Sequence, residues 1–191
     1  MGRGAQSQSQ SLARVAVVVR AGAAPLWWLG VLAAAIGVLV PGLTGRRIGV
    51  LSGAALLLVT AAVTALARRS RYAALAEGAG RAGRGDYLQD RRVTLRRWRR
   101  AHRWGLLGGF VVAVGSAFVV PAAGGMVLAG AGAGLWGKAV WLGWWERGAE
   151  RLLWVSADRA LGSPAGRRVG SFRATGPAAG DARPGGTRRR P

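Results

Sequence analysis

Few side chains in this sequence could carry out a reaction, and their spacing limits what that reaction could be. Cysteine is absent, which removes disulfides, thiolate catalysis and cysteine-ligated zinc or iron–sulfur centres. The one histidine, His102, has no cysteine or carboxylate cluster near it in sequence, so a metal site or a nucleophile and base pair has little to be built from. Ser116 and Lys138 would form a hydroxyl and amine dyad only if burial kept the lysine neutral and both lay at one depth, and the spacing does not fix that depth.

Two short motifs also fall to their context. Residues 78–83, GAGRAG, satisfy the GxGxxG spacing of dinucleotide sites. That motif works only between a strand and a helix N-terminus; here an apolar run and an arginine cluster precede it, so a linker is expected. The adjoining GRGD, residues 83–86, matches the GxGD signature of intramembrane aspartyl proteases in four letters alone. Those enzymes hold two aspartates within neighbouring spans, whereas Asp86 and Asp90 stand in a charged loop. Glu77, Asp86 and Asp90 are expected to pair with nearby arginines at a wet surface, a minor term in stability. These residues point away from an enzyme and imply neither a cofactor nor a metal.

What the sequence holds in excess is positive charge. Of 191 residues 28 are basic against seven acidic, a net charge of +21, and every basic residue but Lys138 is arginine. That choice, with heavy use of alanine, glycine and valine, fits the codon bias of a high-GC bacterial genome. The densest stretch is residues 88–104, LQDRRVTLRRWRRAHRW. Read at helical period, Leu88, Leu95 and His102 fall seven apart with Trp98 beside them, while Arg92, Arg96, Arg99 and Arg103 line the neighbouring stripe. Arg97 and Arg100 lie further round. A basic amphipathic helix of this kind rests on anionic headgroups or meets a polyanion. These six arginines and Trp98 are the candidate polyanion-binding residues. No base-reading module accompanies them, so nucleic-acid binding would be non-specific and steep in salt.

The elements that must position this helix are four apolar runs, long enough to place the chain among polytopic membrane proteins. The first two, residues 26–43 and 48–67, form one hairpin, and residues 104–120 and 126–145 form a second. Between them lies an arginine-rich loop, residues 68–103. Residues 1–25 are expected to be a disordered basic segment, residues 146–161 a helical extension of the last span, and residues 162–191 a disordered basic tail. Basic residues number three before the first span, twelve in the loop and ten after the last, against two and none in the hairpin turns. By the positive-inside rule both termini and the loop are cytoplasmic. Trp27, Trp28, Trp104, Trp144 and Trp145 all fall at the cytoplasmic ends of their runs, as an interfacial belt would.

Within the spans Lys138 is the one charge, and it must snorkel, pair or line a wet path. Gly49 and Gly53, Gly105 and Gly109, and Gly130 and Gly134 stand four apart, the spacing that lets helix backbones approach. The expected fold is thus an all-α membrane protein, four transmembrane helices arranged as two hairpins joined by a basic cytoplasmic amphipathic helix. The expected function is a non-enzymatic accessory or scaffold in the cytoplasmic membrane. Its basic face would meet anionic lipid headgroups, a protein partner in a membrane complex or DNA, and it could form a homo-oligomer. The layout is similar to that of small membrane proteins that accompany DNA-transfer ATPases on actinomycete conjugative plasmids. That similarity implies a role in conjugative DNA transfer as one alternative. A small channel or transporter subunit, with Lys138 on its path, is the other.

Overall fold

The structure, a computed structural model, describes residues 11–40, 42–82, 86–157 and 172–176. The polar repeat up to residue 10 and most of the basic tail, including Arg188 to Arg190, lie outside the described residues. The fold is mostly helical. Four long helices, α1 Val15–Leu39, α2 Arg46–Leu66, α4 Arg91–Gly115 and α5 Ala123–Gly148, are joined by a short α3, Arg69–Glu77. Among the described residues α1 and the α2 to α3 stretch, Arg46–Glu77, are long and apolar enough to cross a membrane.

Helix α5 is the centre of the bundle because its glycines let backbones touch on two sides. Toward α1, Gly125 meets the backbone of Ala34, and Gly30 of α1 meets that of Ala129. Toward α2, a Cβ at Gly130 would stand 2.5 Å from the Leu57 carbonyl oxygen, and one at Gly134 2.5 Å from that of Ala61. Either distance is a clash, so larger residues would drive α2 away. Helix α4 packs along α1, with the Trp98 ring 3.0 Å from the position a Cβ on Gly22 would take.

Helix α2 is open along its outer side. Only 6% of its most apolar stretch is buried, against 33% for α1. Leu51, Leu58, Val59 and Leu66 are exposed on the outer side of the bundle.

The ends of α1 and α5 meet a feature the all-α expectation lacks, a five-stranded sheet. Its strands are β1 Ser11–Arg14, β2 Gly80–Arg81, β3 Tyr87–Leu88, β4 Leu152–Ser156 and β5 Arg173–Thr175, in the order β2-β5-β4-β1-β3. Strand β4 is antiparallel to both β1, with Ala13 opposite Val155, and β5, with Leu153 opposite Ala174. The segments that the charge count assigns to one side of a membrane therefore gather at one end of the bundle.

Several sequence expectations are corrected here. The helical extension over residues 146–161 stops at Gly148, and Glu150 at φ 49° turns the chain back. Leu152, Leu153, Trp154 and Val155 are consecutive and apolar, so a helix would turn some of them to water; a strand paired on both edges buries all four. Within the first segment Ser11–Arg14 is a strand, and α1 starts at Val15, carrying Arg20 and Pro25 inside it. Within the expected disordered tail, Arg173–Thr175 is a strand because it pairs with β4. The basic helix and the third apolar run as far as Gly115 are one helix, α4, in which no proline interrupts the turn around Trp104. Leu88 lies outside it, in β3.

Candidate functional site

The arginine face is built by α4. Asp90 precedes its first turn, where a negative charge suits the helix dipole, and the Thr94 hydroxyl donates to the Asp90 carbonyl oxygen at 3.1 Å. Thr94, Leu95, Trp98 and His102 form the inward stripe, which leaves Arg92, Arg96, Arg97, Arg99, Arg100 and Arg103 exposed. None of the six forms an ion pair with a described residue. Arg103 lies over the Trp104 ring, 5.3 Å from its centroid.

Trp98 is not on that face. Its ring packs on Gly22 and stacks on His102 with centroids 4.3 Å apart and planes 11° from parallel, so it anchors α4 rather than offering a surface to a base. His102 Nδ1 donates to the Trp98 carbonyl oxygen at 3.0 Å.

Helix contacts fix which residues share a level. Trp27 meets Gly132, and Trp98 meets Gly22, which brings Trp104 level with Trp27 and Trp28. Trp144 and Trp145 lie about 18 Å further along α5 at 1.5 Å per residue. The five tryptophans expected in one belt are therefore split between two levels, because α5 runs past the other apolar runs to reach the sheet.

Lys138 points into the molecule. It is 7% exposed and lines a cavity of about 450 Å³ between α1, α2, α4 and α5, beside Thr64, Arg68, Tyr72, Trp98 and His102. Its ammonium stands 5.9 Å from the centre of the Tyr72 ring. Arg68 sits at φ 61°, a left-handed conformation that ends α2 and starts α3. A second groove, about 410 Å³, runs between α1, α4 and α5 with Arg20, Arg91 and Arg99 above Trp27, Trp28 and Trp136.

Of the glycine pairs, Gly130 and Gly134 seat α2, and Gly49 and Gly53 receive Pro121 and Met126. Gly105 faces open space and Gly109 has only Leu128 within reach, at 3.8 Å, so that pair has no helix backbone against it among the described residues.

Sequence reasoning missed Glu146, whose side chain is 2% exposed. It accepts from Arg14 Nη2 at 2.6 Å and Nε at 3.1 Å, while its other oxygen accepts from the Leu153 N–H at 3.1 Å. One carboxylate thereby ties α5 to β1 and β4. Asp86 pairs with Arg173 at 3.2 Å, a partner far along the chain rather than a neighbouring one. No group of three or more metal-ligating side chains occurs among the described residues. No protein-family model, curated protein or solved structure matches the chain.

Proposed function

We propose that this chain is a membrane-embedded helical bundle that acts as a non-enzymatic scaffold, holding the arginine half of α4 upright to engage phosphate groups. The observation that carries the reading is the continuity of α4: six exposed arginines without acidic partners stand in line with an apolar half that ends in Leu107, Val111 and Val112 on the outer surface. The outer face of α2, a row of exposed leucines and valines, supports lipid as the surrounding medium, since such a row is costly in water. All four long helices then cross the bilayer, with the sheet and both described ends on the cytoplasmic side by the distribution of charge. The membrane portion of α5 ends near Lys138 instead of Trp145, because α2 meets α5 there through Ala65 and Gly137. On the α4 side the boundary falls at Trp104, about 9 Å lower, an offset that a bundle tilt of about 20° to 30° absorbs.

An upright basic helix reaches about 18 Å beyond Trp104. That geometry favours a polyanion outside the membrane over a flat lipid surface, and it is the observation behind the second reading, non-specific DNA contact in DNA transfer. Binding to duplex DNA in neutral-lipid nanodiscs, measured across a salt series, separates the two. If DNA is the partner, log affinity falls with log salt by about 0.9 per phosphate contacted, and replacing Arg92, Arg96, Arg99 and Arg103 with glutamine lowers that slope by about 3 to 4. Absence of DNA binding, with adhesion to anionic vesicles that the same replacements abolish, leaves lipid as the partner. Unchanged binding of both ligands in the glutamine variant would refute the role of α4.

A further inference from the structure

The arginine face leaves Lys138 unexplained. This lysine is 93% shielded, has no ion pair or hydrogen bond with a described residue, and borders a cavity of about 450 Å³ that no carboxylate lines. The ammonium has no hydrogen-bond partner among the described residues yet is not sealed within the protein, so it opens on this cavity with the Tyr72 ring, 5.9 Å away, as a weak partner on one side. The cavity supplies what a compensating anion would need. Arg68 and His102 approach from α3's leading end and α4, the Tyr72 and Thr64 hydroxyls lie at the same opening, and Val18, Val63 and Leu135 give apolar walls. The cavity sits where α2 ends at Arg68 and Arg69, the level at which headgroups meet the bundle in the proposed seating.

We propose that the cavity beside Lys138 binds a phosphoryl group, with Lys138 and Arg68 as its cationic partners. Two or more cations converging without an acid suit a phosphate better than a single carboxylate, since each oxygen then accepts from a different donor. The apolar walls accept the first carbons attached to that phosphate. Such a group is carried by an anionic phospholipid entering from the side of the bundle or by a soluble phosphate ester. The site is separate from the arginine face and does not rest on the reading given to it.

The test uses the full chain, delipidated in neutral detergent and titrated with phosphatidylglycerol under native mass spectrometry. Wild type should retain one lipid of high affinity per chain, and Lys138→Met should weaken it about tenfold or more, the worth of one charge-assisted contact. Lys138→Arg should keep it, and glutamine at Arg92, Arg96, Arg99 and Arg103 should leave it unchanged. Lys138→Gln, which retains a polar chain in the cavity, takes the place of Lys138→Met should that variant not be monodisperse. Competition by millimolar inorganic phosphate would identify a soluble phosphate as the source, and its failure to compete a lipid. Equal lipid affinity in wild type and both neutral variants would overturn the proposal and leave Lys138 a packed cation over Tyr72.

Discussion

At the scale of residues, the ion pair of Glu146 and Arg14 shows how the two ends of the described chain are held together. The carboxylate is 2% exposed and the guanidinium 35%, so the two partners are not equally replaceable. Arg14→Gln strands a buried charge with one backbone donor, whereas Glu146→Gln strands an arginine that already reaches water. Both variants should be less stable than wild type and melt lower, Arg14→Gln by about 3 kcal/mol or more, as for other buried pairs broken on one side, and Glu146→Gln by less because its stranded partner reaches water. Equal stability of all three proteins in thermal melts would remove the pair from the account. Neither residue was legible as a partner in the sequence: Arg14 reads as one more basic residue of a tail, and Glu146 as the polar start of a helical extension. The carboxylate's role depends on a contact across 132 positions, which no local spacing encodes. By contrast the exposure of Arg92, Arg96, Arg99 and Arg103 was legible, because one helical period governs them all. The same period placed Trp98 beside the apolar stripe, and only its contact with Gly22 shows that it serves packing.

At the scale of elements, the apolar runs and the basic helix could be read from composition and period, but not where one element gives way to the next. Helix α4 joins two stretches that differ in chemistry and not in backbone preference, so a change of solvent was read as a change of element. Strand β4 was missed for a related reason: LLWV fits a buried strand as well as a helix, and only the presence of β1 and β5 on its edges decides. The absence of cysteine makes this register directly testable. Ala13→Cys with Val155→Cys places two thiols at directly opposed positions of β1 and β4. The pair should cross-link on mild oxidation within one chain, since opposed residues lie within disulfide reach. A helix over residues 146–161 would carry residue 155 away from β1, and no intramolecular cross-link would form.

At the scale of the whole molecule, the protein is a bundle whose two flanks differ. On one flank α2 shows leucine and valine along its length; on the other α4 is apolar below Trp104 and arginine-covered above it. Glycine-mediated contact of α5 with both α1 and α2 binds these flanks into one body, and in the proposed reading this lets an arginine ladder stand upright on a base set in lipid. The central claim is this division between lipid and water, and site-directed labelling tests it most directly. Single cysteines would replace Leu58, 68% exposed on α2, Val112, 72% exposed on α4, and Arg97 in the arginine half. Each protein would then be treated in sealed membranes with an impermeant maleimide, before and after the cytoplasmic side is opened. The account predicts that Leu58→Cys and Val112→Cys stay unlabelled throughout, while Arg97→Cys labels once the cytoplasmic side is reached. Rapid aqueous labelling of Leu58→Cys and Val112→Cys, or protection of Arg97→Cys on both sides, would contradict it.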